Sequence, residues 1–309
     1  TLVGQLLYIH ENNEAHTQKL QSQNQKLKQT LQSHSRRYGI VGSSAPLLNA
    51  VSELERVAHS NANVLLLGEN GTGKEMFART LHTAGRRVGQ PFIKVACNGS
   101  DNDTLGREIF GQGEESGLLE QADGGTIFFD EIAALDADLQ GRLLHVLQNN
   151  AVQRLDGGKA RNINVRIITA TTRDLAAEVE SGRFDPDLYY RLYVVPIHLP
   201  TLRERRSDIP ELVAYFMHRI NRETGKNVNL TTEAVEQLQY YSWPGNVFEL
   251  ERFLHELAKQ SEGNIADEHQ VWRLLNLQSA KPVPAVAPKP AQRTKNAGFA
   301  IQGNQARPY

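Results

Sequence analysis

The sequence predicts an α/β fold, a parallel sheet covered on both faces and followed by a smaller helical unit. Three observations carry that reading. Between about Tyr38 and Pro200, short apolar runs alternate with segments of helical period. A glycine-rich turn joins one of those runs directly to a helix, and beyond Pro200 the strand signals stop.

The chain has 309 residues, enough for two domains with a substantial core. Its formal net charge of -1 gives no global basic field that would argue for nucleic-acid binding. The one cysteine, Cys97, excludes an internal disulfide and suits a reducing compartment. No apolar run reaches membrane-spanning length and there is no signal-peptide pattern, so a cytoplasmic protein without membrane contact is expected. The first residue is Thr1 rather than Met, so a fragment or processed product is expected.

In residues 1–37, Leu20, Leu27 and Leu31 fit a short heptad seam with Asn24 at another seam position. A connecting helix, a brief coiled coil or a solvated polar helix all satisfy this pattern. Strands are predicted at Val64–Leu67, Phe92–Ala96, Thr126–Phe129, Val165–Ala170 and Val194–Leu199. Helices are predicted between them at Ala45–His59, Glu75–Ala84, Asp138–Asn149 and Leu175–Glu180. This α/β unit covers residues 38–200. A helical unit over 201–278 follows, with helices at Ile209–Thr224, Thr232–Tyr240, Val247–Gln260 and Asp267–Leu275. Trp243 and Trp272 are assigned to its core. From 279 to 309 the composition turns to a Pro/Ala-rich linker and a solvated tail.

The chemistry starts at Gly68-Glu69-Asn70-Gly71-Thr72-Gly73-Lys74-Glu75, placed between the apolar run Val64–Leu67 and a helix. Glycines there let several N–H groups face one point, and the helix N-terminus adds partial positive charge. Lys74 can reach the outer phosphates of a nucleotide, while Glu75 stands where the general motif has a magnesium-binding Ser or Thr. Thr126–Phe129 ends in Asp130-Glu131, which places two carboxylates at the carboxyl edge of the sheet. Asp130 would hold magnesium through water, and Glu131 would orient and polarise the attacking water.

The order of these motifs, with Asp187-Leu188-Tyr189-Tyr190-Arg191-Leu192, Leu202-Arg203-Glu204-Arg205-Arg206-Ser207-Asp208-Ile209 and Trp243-Pro244-Gly245-Asn246-Val247, resembles the AAA+ domain of bacterial enhancer-binding proteins, the sigma-54-dependent activators. The likeness covers about Tyr38 to Leu277 and accounts for Glu75, since glutamate after the lysine is usual there. It implies a phosphate-loop nucleotide-binding domain with a helical lid, ATP and Mg2+ as cofactors, and adenine against Ile40-Val41-Gly42. It also implies Thr171 in the sensor segment Ala170-Thr171-Thr172 and Arg191 reaching into a neighbour's site. Self-association as a ring or dimer follows from the same resemblance. Promoter DNA would be reached only through a domain absent from this chain, and RNA polymerase is a candidate partner.

Departures from the family pattern matter as much. The GAFTGA loop that acts on sigma-54 is missing: Ile109-Phe110-Gly111 is followed by only Gln112–Ser116 before Gly117-Leu118-Leu119-Glu120. Ala96 replaces the asparagine that holds the catalytic glutamate in check, Thr172 replaces the sensor asparagine, Asp185 replaces a trans arginine and Phe248 replaces the lid arginine. Arg183, two residues from Asp185, is a candidate for partial rescue. Nucleotide binding is therefore expected to survive better than hydrolysis, in a regulator that does not remodel sigma-54 polymerase. An active ATPase acting on another protein and a nucleotide-stabilised adaptor subunit are the alternatives.

Overall fold

The computed structural model describes residues 38–99, 101–261 and 263–279. The connecting helix expected over residues 1–37 and the tail beyond 279 lie outside the described residues.

Strands β1 (Val64–Leu67), β2 (Phe92–Ala96), β5 (Thr126–Asp130), β8 (Arg166–Thr171) and β9 (Val195–His198) form one parallel sheet in the order β2-β5-β8-β1-β9. Short two-stranded ladders, β3 (Gly111–Gln112) with β4 (Glu115–Ser116) and β6 (Ala151–Val152) with β7 (Arg161–Asn162), stand apart from it. Successive side chains of a strand point to opposite faces, and here both faces are buried. Ile127 and Phe129 belong to one apolar cluster, with Leu105, Ile109, Leu139 and Leu143. Phe128 belongs to the other, with Val51, Leu54, Phe77 and Leu81. Helices α1 (Ala45–Ala58) and α2 (Lys74–Thr83) cover this second face. Helices α3 (Asn102–Phe110), α4 (Leu118–Gln121) and α5 (Ala137–Asn149) bury their apolar sides on the first.

One residue in the predicted strand Val165–Ala170 is charged, and packing explains it. Arg166 is buried and donates to the carbonyls of Val57, Ala58 and Leu81. These are carbonyls at the C-terminal ends of α1 and α2, which have no partner within their own helices. A cation at that end of a helix is also favoured by the aligned peptide dipoles.

Two further helices, α6 (Leu175–Glu180) and α7 (Pro186–Leu192), precede β9. The helical unit then holds α8 (Ile209–Thr224), α9 (Thr232–Tyr240), α10 (Asn246–Gln260) and α11 (Glu268–Ser279) around a core that includes Phe216, Leu238, Leu250 and Phe253. Two corrections to the sequence reading arise here. A parallel pair, β10 (Asn229–Leu230) with β11 (Ile265–Ala266), ties the α8–α9 and α10–α11 connections together. Two residues are too few to show alternation. Trp243 is fully buried and donates to the Leu238 carbonyl, but Trp272 is 63% exposed. Val271 and Leu274 take the buried face of α11 instead, so Trp272 projects outward.

The helical unit is pinned to the start of α1 by one carboxylate. Asp208 is fully buried; its Oδ1 accepts from the Ser43 and Ser44 N–H groups and its Oδ2 accepts from the Ser44 hydroxyl. The approach is so close that a Cβ on Gly42 would lie 2.6 Å from Asp208 Oδ2. Asp208→Ala would strand these donors and is expected to lower unfolding stability by about 3 kcal/mol, measured by urea denaturation. A change within experimental error would show that the carboxylate does not carry this junction.

Candidate functional site

At the carboxyl end of β1 the chain turns through Gly68–Gly73 into α2. Gly71 (φ 77°) and Gly73 (φ 105°) both lie in the left-handed region that a side chain resists. Lys74 is 7% exposed, and its Nζ donates to the carbonyls of Gly68 (2.9 Å) and Glu69 (3.2 Å). Thr72 donates its hydroxyl to the Glu69 carbonyl, closing the turn. The loop is thus folded around its own lysine, with the ammonium 3.5 Å from Glu131 Oε1.

Glu131 follows β5 in the left-handed region (φ 58°), a costly conformation for a residue with a side chain and one often kept at functional sites. Its Oε2 accepts from the Thr172 N–H (3.1 Å) and hydroxyl (3.0 Å). Its Oε1 has no hydrogen-bond partner. Thr172 therefore grips the glutamate with backbone and side chain together. Thr171, the residue assigned to the sensor from the sequence, is fully buried; its hydroxyl accepts from the Arg173 N–H and its carbonyl from the Gly68 N–H. The contact with Glu131 belongs to its neighbour, because successive residues at the end of β8 face opposite sides.

Asp130 lies 3.3 Å from Lys94 Nζ, which is also 2.6 Å from Glu75 Oε2. The Lys94 contact, with Arg79 on the other oxygen, holds the Glu75 carboxyl below its ordinary value, and Glu75 raises the Lys94 ammonium. Cys97, beside these acids, is buried and its thiol is pushed up to about 12, which leaves it protonated.

The helical unit closes the site from above. Gly71 offers its carbonyl to the N–H groups of Val247 (3.0 Å) and Phe248 (3.4 Å) in the first turn of α10. A Cβ on Gly71 would lie 2.1 Å from the Gly245 carbonyl oxygen, so this glycine serves lid contact as well as loop geometry. Asn246 donates to the Asn70 carbonyl and to Glu69, while its own Oδ1 accepts from the Leu202 N–H. Arg203 forks onto both Glu69 oxygens and holds that carboxyl below its ordinary value.

Between loop and lid runs a cleft of about 520 Å³. Ile40 and Val41 line one end with Tyr215 and Phe216; Thr72, Lys74, Glu75 and Asp130 line the other. Ile40 is buried and Val41 packs on the lid core, so an apolar wall meets a polar, charged floor. That combination suits a planar base at one end and phosphates at the other. Phe248 is 67% exposed and lines the cleft, where it offers a ring and no donor. For magnesium, Asp130 and Glu75 supply hard carboxylate oxygens beside the phosphate loop. Among the described residues no group of three or more such ligands forms a closed site. Two carboxylates match an ion that keeps its waters and binds through substrate phosphates.

Arg191, expected to reach a neighbour's site, and Asp185, read as replacing an arginine, both lie outside the lining of this cleft. Arg191, in the last turn of α7, has an exposed side chain. Asp185 caps the same helix by accepting from the Leu188 N–H, and its own N–H donates to Gln140. Arg183 forks onto Glu178 and is occupied there. Strands β3 and β4 join through a tight turn. A Cβ on Gly117 would lie 2.4 Å from the Ile109 carbonyl oxygen, which leaves glycine as the residue that fits.

Comparison with known proteins places this geometry. Residues 40–198 match the sigma-54 interaction domain family, and residues 203–285 match an AAA+ ATPase lid domain. The Nif-specific regulatory protein of Azotobacter vinelandii is 40% identical over 81% of this chain and 49% of its own length. The regulatory protein LuxO of Vibrio cholerae is 39% identical over 77% of this chain and 55% of its own. The chain therefore spans about half the length of the curated relatives it matches. Crystal structures of NtrX from Brucella abortus superpose with TM-scores of 0.72 (with ADP, 33% identity) and 0.70 (with ATP, 32% identity), each over 74% of this chain and 54% and 55% of that one.

Replacing Lys74 with methionine removes the buried ammonium that faces the cleft. The expected loss in ATP and ADP affinity is about tenfold to a hundredfold by isothermal titration calorimetry. Unchanged affinity would mean that the nucleotide sits elsewhere.

Proposed function

This chain belongs to the sigma-54 interaction domain family of AAA+ proteins, and on that premise we propose that it is the nucleotide-binding module of a bacterial transcription regulator, one that binds ATP or ADP, hydrolyses ATP slowly and does not remodel sigma-54 polymerase. The observation that carries the reading is the pairing, around one cleft, of a complete phosphate loop with a lid residue that offers no cation. Lys74, Asp130 and Glu131 are present at the floor, while Phe248 faces the same space from α10. NtrX, similar in sequence and fold, was crystallised with ADP and with ATP, which supports nucleotide as the ligand.

Slow turnover follows from where charge must be met. As the outer phosphoryl group transfers, negative charge builds on its oxygens, and arginines aimed there account for much of the rate in comparable enzymes. Phe248 supplies none. Asp185 brings a carboxylate to a position where the family has arginine, and it is committed to capping α7. Glu131, the base, is held by Thr172 and faces Lys74. When bound, magnesium would be held by Asp130 and would offset the charge of the phosphates. Thr172 holds only Oε2, so Oε1 is the oxygen left to take a proton from water.

The absence of sigma-54 remodelling rests on the β3–β4 turn, which ends after two residues where the activating members carry a loop. Self-association through the exposed Arg191 face, and promoter DNA bound through another part of a longer protein, complete the reading. A second reading, an active ATPase working on a different protein, is favoured by that same exposed Arg191, which is free to enter a neighbour's cleft.

Steady-state ATPase measured across protein concentration separates the two. A rate that stays low as subunits assemble supports the module; a rate that climbs steeply supports the remodeller. Phe248→Arg is expected to raise turnover by about tenfold or more. Adding Asp185→Arg should return less than that, since it removes the cap of the helix bearing Arg191, at a cost of about 1 kcal/mol. A flat response to Phe248→Arg would show that the lid position does not limit the rate. Thr172→Val removes the hydroxyl half of the grip on Glu131 and should change the rate without changing ADP affinity; an equal loss of both would assign Thr172 to binding instead.

A further inference from the structure

Lys94 lies in the middle of β2, away from any motif of the phosphate loop. In register it pairs with Phe128, so it projects on the face that α2 covers. From there its stem runs toward the carboxyl edge of the sheet. The ammonium stands 2.6 Å from Glu75 Oε2 and 3.3 Å from Asp130 Oδ2. These acids come from different elements, the first turn of α2 and the end of β5.

Each acid at this end of the cleft already has a cation. Arg79 takes the other oxygen of Glu75, Lys94 bridges Glu75 to Asp130, and Lys74 faces Glu131. None of these three carboxylates is left unpaired, and Arg205 and Arg219 of the helical unit line the cleft as well. A polyphosphate entering a cleft with unpaired carboxylates would be repelled by them, and a divalent ion ordinarily relieves that repulsion by bridging the two. Lysine is suited to the same task, being a compact point charge with three donors on a flexible stem.

We infer that Lys94 is a built-in cation of this site, supplying to Glu75 and Asp130 the positive charge that a divalent ion would otherwise supply. The cradle then accepts nucleotide with little help from magnesium, and a free divalent ion finds its two carboxylates already engaged. Lys94 is a positioning residue in this account, acting on the ligand through the two acids. The inference rests on the reading of the cleft as a nucleotide site.

The test compares a fluorescent ADP analogue binding to the full chain in excess magnesium and in EDTA, for the native protein, Lys94→Met and Lys94→Arg. Native affinity should differ by less than about threefold between the two conditions, whereas Lys94→Met should lose about tenfold or more in EDTA and regain most of it with magnesium. Lys94→Arg should behave as the native chain. Manganese titrated into the nucleotide-free protein, followed by electron paramagnetic resonance, should bind Lys94→Met more tightly than native protein. Native protein and Lys94→Met sharing one metal dependence, with equal manganese affinity, would overturn the inference while leaving the nucleotide site intact. If no form binds the analogue in either condition, the site reading falls and takes this inference with it. The methionine keeps the stem of a side chain one-third exposed, and thermal melts of the three forms verify that each is folded.

Discussion

The carbonyl of Gly71 accepting from the first turn of α10 is the contact on which the site depends. It makes one object of two folding units, because the loop that would hold phosphates and the helix that covers them share hydrogen bonds. Asn246 and Arg203 extend the seam by binding Glu69 and the Asn70 carbonyl. A rearrangement of the loop cannot leave the lid unmoved, since a Cβ-sized displacement at Gly71 meets the Gly245 carbonyl. Asp208 forms a second, fully buried junction at the start of α1, next to the apolar end of the cleft. The cleft is bounded at both ends by contacts that cross from one unit to the other.

Within that frame the departures from the family pattern acquire physical content. Thr172 does more than fill the place of an amide, since its hydroxyl and N–H together hold Glu131. Asp185 has a structural task of its own as the cap of α7, accepting from the Leu188 N–H. Phe248 itself brings a ring and no donor to a cleft that Arg205 and Arg219 also line. The proposed separation of binding from turnover is thus a statement about charge: Lys74 stays at the phosphate loop, while Phe248 brings no cation from α10.

Much of this was legible in the chain itself, and the legible parts share a cause. The strands Val64–Leu67 and Phe92–Ala96 and the helices Ile209–Thr224 and Thr232–Tyr240 coincide with their predicted limits. In each, local periodicity and a turn or cap residue point the same way as the tertiary packing. The helix α3 was not predicted, though Asp101, which accepts from the Thr104 N–H, is the cap that marks its start. The exposure of Trp272 and the pairing of β10 with β11 depend on which neighbours arrive, and no local rule contains that information.

The sequence by itself determined that a phosphate loop precedes a helix and that two acids end a buried strand. Each of these is written in adjacent residues, where spacing alone dictates which groups share a turn or an edge. Only the tertiary structure decided that Thr172 rather than Thr171 touches Glu131, that Gly71 serves the lid, and that Lys94 bridges Glu75 to Asp130. Those contacts join residues far apart in the chain, and their geometry is set by strand register and by the docking of one unit on the other.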